Sequence, residues 1–264
     1  MVDCSVQNLT FDGARPTNLL RTNPPPDTIS SPPARLLDVI SEAFPNSRPD
    51  TRRDLAAMAA MRRVNAGEVI ISQGDTSCLA LLLEGHVAVR RTTVDGRQYM
   101  VRIVTRGQLS PVLPLAARSA SADAIALTAS ETAVWKADEM RSRAKIDPGL
   151  AVDILDDVLG SLDEVMGRLD GLLYQNALRR VARVLHEHTD LFFGSPPVLT
   201  RTHLPILVGT SREMTGRVLR VLEARQLVAR VGRNRLRLLD PAGLVAAAAT
   251  DPERVRPGRE AVSR

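Results

Sequence analysis

From residue 34 the apolar positions first recur at helical spacing. Leu36, Leu37 and Ile40 fall on one face of Ala34–Phe44, and Leu55, Met58 and Met61 on one face of Asp50–Met61, which predicts two short helices. From Val64 the texture changes to short apolar runs punctuated by Gly67, Gly74, Gly85, Gly96 and Gly107. Turn signals roughly ten residues apart predict an all-β sandwich or barrel. Its clearest unit is Val87–Val94, Asp95-Gly96, then Arg97–Val104, where Tyr99, Val101 and Ile103 alternate with polar neighbours; this predicts a tight hairpin at the middle of the barrel.

Asp147-Pro148 pairs an N-cap with a proline at the first helical position and opens a long helix. Leu150, Ile154, Val158, Leu162, Val165, Leu169 and Leu172 recur at steps of three and four, with Leu155, Leu159, Met166 and Leu173 alongside. That stripe is too wide for one partner. One edge is expected to pack on the chain's own β domain and the other, through Leu155, Val158, Leu162, Val165, Leu169 and Leu172, on the same helix of a second subunit. Asp153, Asp156, Asp157, Asp163, Glu164 and Asp170 are expected to keep the outer face soluble. Gly160, Gly167 and Gly171 each weaken a helix by roughly 1 kcal/mol relative to alanine, so they permit close helix approach or mark a deformable joint. A further helix follows over Asn176–Leu191 on Leu178, Val181, Ala182, Leu185 and Thr189.

Leu199–Asp240 then reads as a short helix, a glycine turn, a longer helix and a basic hairpin. Thr200 is the expected N-cap of the first helix, whose Leu204, Leu207 and Val208 share a face and which Gly209 ends. Thr210 or Ser211 caps the second, with Met214, Val218, Val221 and Leu222 as the buried stripe and Arg212, Glu213, Arg217 and Arg220 on the charged side. A helix presenting Arg and Glu at its N-terminal end suits base-edge reading in a helix-turn-helix. Leu227–Val231 and Leu236–Leu239 flank Gly232-Arg233-Asn234 and predict a wing, with further arginines at 235 and 237.

Charge sharpens this picture. Between Gly171 and Asp240 stand Arg179, Arg180, Arg183, Arg201, Arg212, Arg217, Arg220, Arg225, Arg230, Arg233, Arg235 and Arg237, against Glu187, Asp190, Glu213, Glu223 and Asp240: +7, where the whole chain is +5. Positive charge concentrated in one domain is the footprint of phosphate binding. Aromatics make up only 3% of the chain, which disfavours a base-stacking site for single strands. Two cysteines, Cys4 and Cys78, make no disulfide framework, and neither a signal peptide nor a membrane-length apolar run is present, so a cytoplasmic protein is expected. Residues 1–33, with Pro24-Pro25-Pro26 and Pro32-Pro33, are expected to form a mobile arm, and 246–264 a flexible tail.

SREMTGRVLRVLE, preceded by LTR and LVG and followed by QLV, resembles the DNA-binding domain of the Crp/Fnr family of bacterial transcription regulators. VNAGEVIISQGD, LALLLEGHVAV and DGRQYMVRIVTRGQL resemble the cyclic-nucleotide-binding β-roll that precedes that domain. The resemblance implies an α+β chain: a β-roll sensor over 34–146, a dimerisation helix over 147–175 and a winged helix-turn-helix over 176–245. It implies base contacts by Arg212, Glu213 and Arg217. Phosphate contacts fall to Thr200, Arg201, Ser211, Arg233 and Arg235, and the partners implied are double-stranded DNA, a second copy of the chain and RNA polymerase. Two departures show in the DNA domain. Met214-Thr215 stands where Thr-Val is usual, and Pro205 interrupts the first helix, kinking or shortening it.

The family's nucleotide cassette aligns with GQLSPVLPLAARSASADAIAL. Its Gly-Glu-Leu falls on Pro111-Val112-Leu113, without the carboxylate, and Pro111 and Pro114 lack the N–H groups of a phosphate cradle. Arg118-Ser119-Ala120 repeats the family's Arg-Ser-Ala, about two residues early, so Arg118 is either a displaced phosphate ligand or a loop arginine. The family's paired hydroxyls on the dimer helix fall near Val165-Met166. The pocket candidates are thus Arg118, Ser119, Val112 and Leu113, and neither cyclic AMP nor another cofactor is expected.

Cys78 with His86 could serve redox or haem chemistry, against the plainer reading of a buried thiol and a surface histidine. His186 and His188, two apart on a helix, point to different faces and make no metal pair. No catalytic constellation is present and no enzyme is expected. Two competing readings are a nucleotide-binding module acting through protein contact and an oligomeric scaffold with a basic tail.

Overall fold

The computed structural model describes residues 34–75, 78–110 and 119–249. The arm at 1–33, most of the tail, and Val112, Leu113 and Arg118 with Pro111 and Pro114 lie outside the described residues. The chain divides into two compact units between Val165 and Met166.

The first unit begins with helices α1 (Ala34–Ala43) and α2 (Pro49–Met58). Eight strands follow: β1 (Ala60–Val64), β2 (Val69–Ile71), β3 (Cys78–Glu84), β4 (Val87–Thr92), β5 (Gln98–Val104), β6 (Leu109–Ser110), β7 (Asp123–Ala126) and β8 (Ser130–Lys136). They form two four-stranded sheets, ordered β1-β8-β3-β6 and β2-β7-β4-β5. Strand β3 shows why its sequence is an almost unbroken apolar run, since it is covered on both faces. Ala80 and Leu82 face the core shared with the second sheet, with Ile71, Val87, Val89 and Val104. Leu79, Leu81 and Leu83 face a helical layer: Val39 and Ile40 of α1 with Phe44 just after it, Leu55 of α2, Met140 of α3 (Ala137–Ile146), and Leu150 and Ile154 of α4 (Pro148–Tyr174). The single tryptophan, Trp135 of β8, is buried in the same core and donates from Nε1 to the Leu55 carbonyl at 2.8 Å.

Three expectations need correction here. Met61 belongs to β1, because α2 stops at Met58. The β4–β5 hairpin closes through a longer loop than a two-residue turn, with Thr93 N–H donating to the Arg97 carbonyl and Gly96 N–H to the Thr93 carbonyl, and β5 lies at the edge of its sheet. The pairing slips between Val89 and Arg90, and Met100, Arg102 and Val104 are buried while Tyr99 is exposed.

Arg102 is 7% exposed because α4 supplies its partners: Ser161 accepts a hydrogen bond from it, and Asp157 and Glu164 lie 3.7 and 3.6 Å away. Asp157 is therefore not a solvating residue of an outer face. Burial pushes its carboxyl up, against the pull of Arg102 and of the Leu109 N–H.

Asp153 is likewise buried, at 5% exposure, and it anchors the loop between α1 and α2. Its carboxylate accepts from Asn46 N–H at 3.1 Å, from Asn46 Nδ2 at 2.8 Å and from Ser47 N–H at 3.0 Å. Asp147 caps α4 as expected, accepting from Gly149 N–H at 3.0 Å, and also takes Arg48 N–H at 2.8 Å. Burial works to raise the Asp147 carboxyl, but the donors Arg48, Thr51 and Gly149 and the Arg48 charge hold it below its ordinary value. At Gly149 any side chain would run into the Asn46 carbonyl, so this close approach needs glycine.

The second unit contains α5 (Ala177–Glu187), α6 (Thr189–Phe193), α7 (Leu204–Val208), α8 (Arg212–Ala224), the antiparallel pair β9 (Val228–Val231) and β10 (Arg235–Leu238), and α9 (Pro241–Ala249). The helix expected over Asn176–Leu191 is broken at His188. Helix α9 falls outside the expected elements although its signals are local: Asp240 accepts from Gly243 N–H, Pro241 opens the helix, and an alanine run follows. It continues through residues 246–249, which were expected in the tail, and buries Leu244 and Ala247.

Candidate nucleic-acid interface

Helix α7 is five residues long; Pro205 occupies its first turn, where the missing N–H needs no partner, and so does not kink it. Thr200 does not cap it. The chain makes a separate turn over Thr200–His203, with His203 N–H donating to the Thr200 carbonyl at 3.0 Å and Thr200 N–H to His203 Nδ1 at 2.9 Å. Gly209 ends α7 in the left-handed region, at φ 68°, and its N–H donates to the Pro205 carbonyl.

Ser211 caps α8, its Oγ accepting from Met214 N–H at 3.1 Å. The buried stripe of α8 is Thr215, Val218, Leu219 and Leu222, whereas Met214 and Val221 are 38% and 40% exposed. The stripe is thus rotated by about one residue from the expected one. Thr215 tolerates burial because its hydroxyl donates to the Ser211 carbonyl. Arg212, Glu213, Arg217 and Arg220 are all exposed, and Glu213 pairs with Arg217 one turn away. At the other end Gln226 takes φ 57°. Its N–H donates to the Glu223 carbonyl and that of Leu227 to the Leu222 carbonyl, a Schellman closure made with glutamine where glycine is usual.

The wing follows at once. Arg233 and Arg235 are exposed, as is Arg237. Glu223, which no sequence pattern singled out, straps the wing to α8: its Oε1 accepts from Arg230 N–H at 2.9 Å and from Arg230 Nε at 2.7 Å. Hydrogen bonding from the Arg230 side chain holds the Glu223 carboxyl below its ordinary range. Arg201 is half-buried and is brought against the wing tip. Its Nε donates to the Arg233 carbonyl at 2.6 Å and its N–H to the Asn234 carbonyl at 2.9 Å. Thr200 is half-buried too, its hydroxyl 2.7 Å from that of Thr202.

His188, between α5 and α6, is held at about 4 by burial and then by the Arg168 charge, against an ordinary 6.5. A histidine whose folded pKa is depressed favours the folded state above the unfolded pKa and loses that contribution as pH falls. Stability should therefore drop between pH 6.5 and 4, by on the order of 2–3 kcal/mol. Unfolding followed by circular dichroism across that range should show the slope, and His188→Gln should remove it.

On α4, Leu155 (53% exposed), Leu162, Val165, Leu169 and Leu172 lie open to solvent, as do Leu159, Met166 and Leu173. Val158 differs from the other expected interface residues, since it packs partly against the helical layer of the β unit. No side chain at Gly160 or Gly167 would meet a neighbour, whereas Gly171 lies against Arg183. Of the effector candidates only Ser119 is described, and it is exposed. Cys78 and His86 flank opposite ends of β3, about 20 Å apart at strand rise, so they do not form one site. Both are half-buried; burial raises the thiol and lowers the imidazole. Among the described residues no helix is long and apolar enough to cross a membrane.

Residues 61–147 match the family model described as a cyclic nucleotide-binding domain, and residues 179–247 that of a Crp-like helix-turn-helix domain. The chain is 24% identical over 176 residues to the cAMP-activated global transcriptional regulator CRP of Salmonella typhimurium, across 62% of this chain and 82% of that protein. Its fold is similar to that of FixK2 from Bradyrhizobium japonicum, with a TM-score of 0.61 at 19% identity over 73% of this chain and 98% of that one. It is also similar to CLP of Xanthomonas campestris, described as c-di-GMP responsive, with a TM-score of 0.63 at 21% identity over 73% of this chain and 100% of that one. Structural likeness at such identities speaks for the fold, and it is the two family models following one another in a single chain that carry the assignment. With a nucleotide-binding-type β unit followed by a helix-turn-helix of the Crp type, the chain belongs to the Crp/Fnr family of bacterial transcription regulators.

Proposed function

We propose that the protein binds palindromic promoter DNA as a homodimer, reading bases with Arg212, Glu213 and Arg217, holding phosphates with the wing, and responding to a signal other than cyclic AMP. The observation that carries this reading is the first turn of α8, capped by Ser211 and presenting Arg212, Glu213 and Arg217 to solvent. Each arginine has a planar fork suited to O6 and N7 of guanine, and Glu213 suits a cytosine amino group. Glu213 and Arg217 pair one turn apart on the exposed face. Against cyclic AMP stand the missing carboxylate at Val112, the prolines at 111 and 114, and Val165 and Met166 where hydroxyls would be needed. Family membership leaves the effector open, since similar proteins are named for cyclic AMP and for c-di-GMP. RNA polymerase is the partner such a regulator would engage at a promoter.

The test is site selection from a duplex library with wild type, Arg217→Ala and Arg233→Ala, with and without cyclic AMP. Wild type should recover inverted half-sites about one helical turn apart. Arg217→Ala should relax one base position per half-site at a cost of about 1–3 kcal/mol. Arg233→Ala should weaken all duplexes alike and flatten the slope of log affinity against log salt by about 0.9 for each phosphate it no longer neutralises. An unchanged preference in Arg217→Ala with an altered one in Arg233→Ala would reverse the two roles, and affinity that rises with cyclic AMP would refute the effector part.

A further inference from the structure

We propose that Arg201 is a positioning residue of the wing and acts on DNA through the wing tip rather than by a phosphate contact of its own. The inference rests on the DNA-binding reading above and departs from the phosphate role that the family resemblance implies for this position. The wing tip Gly232-Arg233-Asn234 turns two successive carbonyls towards one residue. Arg233 O accepts from Arg201 Nε at 2.6 Å and Asn234 O accepts from Arg201 N–H at 2.9 Å. Arg201 is itself fixed, because the turn on which it sits is closed by Thr200 N–H to His203 Nδ1 and by the Thr200–Thr202 hydroxyl pair.

The wing is also strapped to α8, by Arg230 and Glu223. The two attachments hold the hairpin at its tip and at Arg230, in the second strand pair from the tip. The side chains at 233 and 235 are left exposed, so their direction follows from where the tip is held. Arg201 commits its Nε donor to the tip, and it is half-buried where the wing arginines are open.

The chemistry of the side chain separates the two roles. Glutamine has the same number of atoms to its amide nitrogen as arginine has to Nε, so Arg201→Gln keeps a donor for the Arg233 carbonyl and discards the charge. Lysine keeps the charge but puts a methylene where the donor stood. Because the acceptor is a backbone carbonyl, Arg233→Ala leaves this hydrogen bond in place and does not mimic its loss.

The experiment compares Arg201→Ala, Arg201→Gln and Arg201→Lys in the full-length protein, by affinity and salt dependence on the duplex selected by wild type and by amide hydrogen exchange of residues 228–238 without DNA. Arg201→Ala and Arg201→Lys should each bind roughly tenfold more weakly, the scale of one charge-assisted hydrogen bond, and exchange faster in the wing. Arg201→Gln should keep both properties close to wild type. Wild-type affinity in Arg201→Lys with weakened binding in Arg201→Gln would make Arg201 a direct phosphate contact and overturn the proposal, as would unchanged wing exchange in Arg201→Ala. If wild type selects no duplex, the DNA-binding reading fails, and the exchange comparison still decides whether Arg201 holds the wing.

Discussion

The variant carrying both Leu162→Glu and Leu169→Glu is expected to sediment as a monomer and to bind its palindromic site at least a hundredfold more weakly. The helix from Pro148 to Tyr174 leaves Leu155, Leu159, Leu162, Val165, Met166, Leu169, Leu172 and Leu173 each between 42% and 63% exposed. Burying half of a leucine is worth about 1 kcal/mol, so a paired seam of such residues readily exceeds the cost of bringing two chains together. Glutamates at 162 and 169 would face their own copies across a parallel seam and repel. A monomer then meets one half-site at a time and loses the effective concentration that joins two recognition helices, a factor of roughly 10² to 10⁴. Equilibrium sedimentation and fluorescence anisotropy on the selected duplex measure both effects. A dimer that survives the double substitution would place the interface elsewhere.

Asp153→Ala should destabilise the β unit by about 3 kcal/mol. The carboxylate accepts from two backbone N–H groups and one side-chain amide, and the Ser47 donor among them is buried. Alanine would remove an ionised acceptor and leave that N–H without a partner; hydrogen bonds to charged groups are worth about 1.5–3 kcal/mol each, and an orphaned donor costs about 1–3. Trp135 lies in the same unit, is the only tryptophan, and contacts α2 through the Leu55 carbonyl, so its fluorescence reports this unit alone. Its urea midpoint should fall in Asp153→Ala and partly recover in Asp153→Asn, which retains one acceptor oxygen. An unmoved midpoint in Asp153→Ala would show that the loop is held by other contacts.

Asp153 also marks where the sequence stops being legible. Six carboxylates on α4 look alike as a pattern, and helical periodicity can only assign a residue to a face. It cannot say that the loop between α1 and α2 brings two N–H groups to one of them, or that Arg102 reaches another from β5. Arg102 was opaque for the same reason: an arginine in an alternating strand reads as solvent-facing until its partners on a distant element are known. What was legible rests on local chemistry. Ser211, Gly209, Asp147-Pro148 and Gly232 act through their own backbone and nearest neighbours, and the elements they bound came out in place. The α8 stripe was misphased because Met214 and Val221 are apolar while Thr215 is not, and Thr215 is buried by donating to its own helix. Glu223 and Arg201 carry no spacing signal at all, since each acts on a segment whose position only the folded chain defines.

Gln226 lies where the chain leaves α8 for the wing, in a conformation that costs a residue with a side chain about 1 kcal/mol more than glycine. Glycine would relieve that strain and would also open a range of exit directions. Glutamine makes the joint stiffer than the motif requires; on the DNA-binding reading proposed above, the wing arginines would then meet a duplex already aimed, with less conformational entropy lost on contact. The strain at residue 226 thus acts as a prepayment towards association, which makes the joint a place where sequence change could trade the stability of the free protein against its grip on DNA without altering any residue that touches the double helix.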